Sequence, residues 1–242
     1  MDIRGCVALV TGANRGLGRA FTEALIEAGA AKVYAGARNP AEITDPRLVA
    51  IRLDVTDADT ISAAAERCGD TMLVINNAGI MLSTPMLAPD AADAMRREMA
   101  VNVFGLQAMI AGFAPVLARQ GGGGVINILS VVSWFTAPFN ATYCASKQAA
   151  LAVSDAARIQ LAEQGTQVTG VYAGFIDTDM AAGIADPKTS PRQIADRAIA
   201  GLAAREDHVL ADERARQVRH DTRHDPCNFA ASLSLGWKQR AR

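Results

Sequence analysis

Cys6-Val7-Ala8-Leu9-Val10-Thr11-Gly12-Ala13-Asn14-Arg15-Gly16-Leu17-Gly18 lies near the start of the chain, a short apolar run that breaks into a glycine-rich turn. A helical pattern follows, with Phe21, Leu25 and Ile26 on one face, and it ends at Gly29. The order is strand, tight turn, helix. Glycine lets the backbone turn sharply and leaves bare N–H groups at the start of a helix, where a phosphate can approach. The spacing alone is common; its place between a strand and a helix is what marks a nucleotide site. Gly12, Asn14, Arg15, Gly16, Leu17 and Gly18 are therefore candidate cofactor contacts.

Three more strands extend the pattern. Lys32-Val33-Tyr34-Ala35-Gly36-Ala37 ends at Arg38, Val49-Ala50-Ile51-Arg52-Leu53 ends at Asp54-Val55, and Met72-Leu73-Val74-Ile75 runs into Asn76-Asn77-Ala78-Gly79. Asp57 is placed to cap a helix reaching about Cys68. Short apolar strands alternating with helices predict a parallel sheet covered on both faces, with ligands beyond the carboxyl ends of its strands. In dinucleotide folds an acid after the second strand reads the ribose 2′-hydroxyl, whereas an arginine accommodates a 2′-phosphate. Arg38 holds that position, with Arg15 as a second clamp, so NADP(H) is expected in preference to NAD(H) unless both are plain surface arginines.

The chain has 242 residues, 50% hydrophobic and 20% charged, with a net charge of −1. That suits one domain over 1–242, and it provides no field for nucleic acid or an anionic membrane. No stretch is expected to approach the ~20 apolar residues of a membrane span. The N-terminus lacks the pattern of a secretory signal. Cys6, Cys68, Cys144 and Cys227 are scattered without a CxxC pair, as reduced thiols of a cytoplasmic protein. No internal repeat is present.

In the second half a long helix is expected from about Ala91 to Arg119, broken near Ala88-Pro89 and eased at Pro115. Asn102 falls inside it, and propensity alone reads it as an outward-facing polar residue. Gly121 to Gly124 lead into a fifth strand, Val125-Ile126-Asn127-Ile128-Leu129, that ends at Ser130. The loop to Thr142 carries Trp134, Phe135 and Phe139, either a substrate wall or ordinary loop packing. Tyr143-Cys144-Ala145-Ser146-Lys147 then opens another long helix, and four residues apart share a face. A free phenol titrates near ~10, and a neighbouring ammonium favours phenolate, so Tyr143 and Lys147 are expected to make a proton donor that works near neutrality. A sixth strand, Val168 to Tyr172, ends at Ala173-Gly174-Phe175-Ile176-Asp177-Thr178. The small and polar stretch after it, 178–192, is expected to be a mobile lid.

Taken together, Thr11-Gly12-xxx-Gly16-x-Gly18, Asn76-Asn77-Ala78-Gly79, Asn102, Ser130 and Tyr143-xxx-Lys147 resemble the short-chain dehydrogenase/reductase family, in order and spacing, over about residues 5 to 180. The resemblance implies an α/β fold, a single Rossmann-like doubly wound parallel sheet of six to seven strands. It implies a catalytic tetrad of Asn102, Ser130, Tyr143 and Lys147, with Tyr143 as proton donor and Asn102 holding a relay water. It also implies cofactor contacts at Asp54, Val55, Asn77, Ala78, Gly79, Tyr143, Lys147, Gly174, Ile176 and Thr178. The expected reaction is hydride transfer between nicotinamide and a ketone or secondary alcohol, by an NADPH-dependent carbonyl reductase or alcohol dehydrogenase. A ketoreductase of acyl-carrier-bound substrates and a catalytically silent NADP sensor are the alternatives. Ser130, Trp134, Phe135, Phe139, Tyr143 and Phe175 are the expected substrate contacts.

The family often has Pro-Gly where this chain has Ala173-Gly174. His208 to Asp212 reads as a seventh strand, but a charged helix from Glu213 follows where many members carry a Gly-Gly turn. A homo-oligomer is expected, a dimer through the two long helices in preference to a tetramer. The tail, 213–242, is expected to be divergent and to end loosely attached. His220 and His224 beside Asp221 and Asp225 read as a solvated charged face, with no metal site.

Overall fold

The computed structural model describes residues 1–240. In chain order the elements are β1 (Val7–Thr11), α1 (Gly16–Glu27), β2 (Lys32–Ala37), β3 (Val49–Arg52), α2 (Ala58–Arg67), β4 (Leu73–Asn76) and α3 (Ala91–Met99). A π-helical segment, Ala100–Gly105, joins α3 to α4 (Leu106–Arg119). Next come β5 (Gly123–Ile128), α5 (Ala141–Gln160), β6 (Thr166–Tyr172), α6 (Pro191–Ala203), β7 (His208–Leu210), α7 (Glu213–His224) and α8 (Pro226–Arg240).

The seven strands form one parallel sheet in the order β3-β2-β1-β4-β5-β6-β7, as the alternation of apolar strands and helices predicts. Side chains alternate across a strand, and in β1 Ala8 and Val10 pack toward α1 and α6. Leu9 points the other way, into a core built with Ile61 of α2, Met109 and Phe113 of α4 and Ala157 of α5. Both faces of the sheet are thus covered. The strand order reverses between β1 and β4, and this crevice beyond their carboxyl ends is where such sheets take ligands.

Three expectations change. The helical stretch from Ala91 to Arg119 is long and apolar enough to cross a bilayer, contrary to the sequence reading. It is a core helix: Met109, Phe113, Val116 and Leu117 are buried. It also runs through Pro115, and its irregularity is the π segment around Asn102 rather than a break at Pro89. Finally, the tail is anchored. Ala215 and Val218 of α7 are buried, and Phe229 of α8 meets the ring of Phe135 edge-on at 5.0 Å. Residues 241 and 242 of the tail lie outside the described residues.

Candidate active site

A cleft of about 760 Å³ runs along the carboxyl ends of the strands. The turn after β1 forms one wall. Gly12 and Gly16 hold φ of 64° and 53°, left-handed values that favour glycine. Gly18 is needed for a different reason: a Cβ there would stand 2.1 Å from the carbonyl oxygen of Gly12. No side chain caps α1 and its first turn carries no acid, so its first N–H groups and dipole are open to an anion. That open helix start fits the pyrophosphate of a dinucleotide.

Asn77 lines the cleft and also ties two loops together. Its Nδ2 donates to the carbonyls of Thr11 (2.9 Å) and Gly12 (3.2 Å), while Thr11 Oγ1 accepts from the N–H groups of Asn77 and Ala78. Arg38, Asp54, Val55, Ala78 and Gly79 line the same end of the cleft. The Asp54 carboxylate accepts from the Thr56 N–H at 2.9 Å and its hydroxyl at 2.7 Å. The Thr56 backbone bond leads in holding its pKa below the ordinary value. Arg38 is exposed into the cleft, while Arg15 is paired with Asp179, just after β6 and its loop, at 3.1 Å. An acid the sequence reading passed over, Glu42, shares this end and accepts from Asn14 Nδ2.

Across the crevice, the end of β5 and the start of α5 bring Ser130, Tyr143 and Lys147 to one wall. Ser130 caps the 3-10 turn Val131–Ser133, its Oγ accepting from the Val132 N–H at 3.3 Å. Its side chain lies near enough to that of Tyr143 to act on the phenol, favouring its ionised form. Lys147 Nζ donates to the carbonyl of Ile128 at 2.8 Å and lies 5.7 Å from the centroid of the Tyr143 ring. Burial lowers the Lys147 pKa to about 8. Desolvation also pushes the Tyr143 phenol above its ordinary value, Cys144 and Glu98 add to this, and only Ser130 opposes it, although the side chain is half-buried on the open cleft. For the protein by itself this direction runs against the expected acid phenol, and the ammonium one turn away does not reverse it.

Asn102 sits behind this wall, 3% exposed. The π segment inserts a residue into the helical turn and swings the side chain inward. Its Oδ1 accepts from the Ile80 N–H, and its Nδ2 donates to the Ile80 carbonyl and to Ser146 Oγ, each at 2.9 Å. The side chain is thus tied to Ile80 and Ser146, with one acceptor site of Oδ1 left over. A Cβ at Gly79 would come within 3.2 Å of Asn102 Oδ1 and 3.9 Å of Lys147 Nζ, so the bare Cα lets these groups gather.

Phe135, Phe139 and Phe175 line the cleft, as do Gly174, Ile176 and Thr178. Trp134 does not. The turn after Ser130 sends its indole the other way, stacked on Tyr172 at 4.3 Å with Arg219 over it at 4.7 Å.

The sequence model of the short chain dehydrogenase family matches residues 6–189. The chain belongs to the short-chain dehydrogenases. The 2,5-dichloro-2,5-cyclohexadiene-1,4-diol dehydrogenase LinX of Sphingobium indicum is 33% identical to this dehydrogenase over 195 residues, 75% of this chain and 77% of that one. The 3-oxoacyl-[acyl-carrier-protein] reductase FabG of Vibrio harveyi is 30% identical over 77% of this chain and 80% of its own. A short chain dehydrogenase of Burkholderia cenocepacia J2315, solved in complex with NADP, superposes with a TM-score of 0.93 at 40% identity, covering 96% of this chain and 99% of that one. The dehydrogenase is thus an oxidoreductase that takes a nicotinamide cofactor and acts on alcohol or carbonyl groups of small molecules.

Two features of the dehydrogenase escaped the sequence reading. Buried Glu98 accepts from the Leu82 N–H at 2.8 Å, shaping the loop after β4. Asp212 caps α7 at Ala215 and also accepts from the Gly174 N–H (2.9 Å) and the Thr189 hydroxyl (3.4 Å), tying the end of β6 to the segment before α6. Neither is marked out by its local sequence, and only the folded chain brings their partners to them. The tail also adds Arg214 and Leu233 to the cleft lining.

Proposed function

We propose that this short-chain dehydrogenase is an NADPH-dependent carbonyl reductase, working reversibly on a ketone and its secondary alcohol. The observation that carries the reading is the meeting of Ser130, Tyr143 and the Lys147 ammonium on one cleft wall, with the open start of α1 opposite. The nicotinamide, when bound, supplies the hydride. The protein's part is positioning and proton transfer. Ser130 donates a hydrogen bond to the carbonyl oxygen. Tyr143, kept protonated by burial, gives its proton to the same oxygen as negative charge develops there. Lys147, still charged at neutral pH, offsets the phenolate left behind. Asn102 holds the wall in register through Ile80 and Ser146.

Arg38, exposed in the cleft after β2, supports a preference for NADP(H), as does likeness to the NADP-bound Burkholderia protein. Residues 178–192 act in this reading as a lid, latched to the glycine loop by Arg15 and Asp179. An exposed apolar face supports a homodimer: Phe104 (67% exposed), Ala111 and Pro115 beside Ala152, Ala156 and Ile159 (77% exposed). The unpaired thiols Cys6, Cys68 and Cys144 fit a cytoplasmic protein. Likeness to the Vibrio reductase sustains a second reading, reduction of acyl-carrier-bound 3-oxo groups.

The test is NADPH oxidation against a panel of ketones, aldehydes and 3-oxoacyl thioesters. Tyr143→Phe is expected to lower turnover about 10²–10⁴-fold while NADPH still binds. Full activity in that variant would remove Tyr143 from its role.

A further inference from the structure

The charged groups of the cleft are nearly all accounted for. Arg15 is held by Asp179, and Lys147 by the Ile128 carbonyl. Arg38 acts through space on Asp54, as Arg214 does on Asp221, each lowering the acid's pKa. Arg214 differs in its setting. Its stem lies over the bare Cα of Gly174, where a Cβ would stand 2.8 Å from Arg214 Cγ and 2.9 Å from its Cβ. Glycine at 174 is thus what admits this arginine beside Phe175, on the cleft lining.

Its guanidinium makes no ion pair within 4.0 Å and no hydrogen bond among the described residues. The acids around it are engaged elsewhere: Asp212 with Gly174, Thr189 and Ala215, Glu213 with Arg216, and Asp221 with Gln217 and His220. Asp186 on the lid also lines the cleft, yet no ion pair joins it to Arg214. Phe135, Phe139, Phe175, Met180 and Leu233 give the same cleft an apolar lining. Arg214 is exposed, so its N–H donors are open to a ligand, and such a guanidinium is a bidentate receptor for a carboxylate.

We propose that Arg214 anchors a carboxylate on the substrate, so that the carbonyl compound reduced here is an oxo acid with an apolar body. This rests on the carbonyl-reductase reading for its chemistry, but the anchor itself can be measured without turnover. The full-length enzyme saturated with NADP⁺ is titrated by calorimetry with benzoate and with neutral benzamide. Benzoate is expected to bind about tenfold tighter or more, Arg214→Gln to erase the difference, and Arg214→Lys to restore part of it. NADP⁺ affinity is expected to stay within about twofold, since the arginine serves substrate and not cofactor.

Equal binding of the two probes, or a preference that survives Arg214→Gln, would overturn the anchor. So would a loss of NADP⁺ affinity as large as the loss of benzoate, which would move Arg214 to the coenzyme. If benzoate binding depends on Arg214 but no carbonyl in the panel is reduced, the anchor stands and the reductase reading falls. If neutral ketones are reduced and benzoate ignores Arg214, the reverse holds.

Discussion

The ammonium of Lys147 donates to the carbonyl of Ile128 across 2.8 Å, binding α5 to the last residue of β5. The lysine therefore serves the fold as well as the site, and it is a buried charge. Its pKa in the folded protein is about 8, below the ordinary 10.5. Below about 8 both folded and unfolded chains hold the proton, and the burial cost is present in full. Between about 8 and 10.5 the unfolded chain holds a proton that the folded chain has released, so stability rises with pH through this window.

Lys147→Met is accordingly expected to abolish NADPH oxidation and yet to stabilise the cofactor-free protein at pH 7. Removing the buried charge relieves ~3 kcal/mol, and the orphaned Ile128 carbonyl returns ~1 kcal/mol of cost. The net gain corresponds to a rise of about 4–8 °C in Tm. Thermal melts of both proteins at neutral pH and near pH 10.5 would show the gap closing at the higher value. A variant less stable than its parent at neutral pH would contradict the assigned burial cost.

Asn102→Ala would strip partners from both polar groups of Ile80 and from Ser146 Oγ at once. The expected loss is about 2–4 kcal/mol, read as a lower urea midpoint. A change under about 0.5 kcal/mol, the range of ordinary surface substitutions, would show that Ile80 is held by something else.

Arg38→Asp reverses the charge that faces a 2′-phosphate and offers a carboxylate to a 2′-hydroxyl. The ratio of kcat/KM for NADPH to that for NADH should fall by about tenfold or more. Glu42 shares that end of the cleft, so Glu42→Gln should move the ratio the other way. An unchanged ratio in Arg38→Asp would transfer the reading of the phosphate to Arg15.

Ala152→Arg places a charge in the exposed apolar face of α4 and α5 without touching the core. Sedimentation should report a dimer for the parent and a monomer for the variant. A parent monomer, or a variant that keeps its mass, would remove this face from the interface.

Much of the fold was legible locally. Apolar runs of four to six residues, each ending in a glycine or polar cluster, placed the strands close to their observed bounds, and β2 matches residue for residue. Gly12, Gly16 and Gly18 were legible because positive φ and close packing leave no room for a side chain. Trp134 was not. Its neighbours in the chain are aromatic cleft residues, and only the 3-10 turn after Ser130 decides that it stacks on Tyr172 instead.

From the chain alone came what repeats or spaces regularly: the parallel order of strands and helices, the glycine turn, and Tyr143 and Lys147 on one helical face. These depend on interactions within a few residues, so local order suffices. The folded molecule decided the rest. It turned Asn102 inward through a π segment, drew Arg214 and Leu233 from the tail into the cleft, and made burial rather than the neighbouring ammonium the ruling influence on Tyr143. Desolvation and long-range contact depend on everything that packs around a group, and no single stretch of chain contains that.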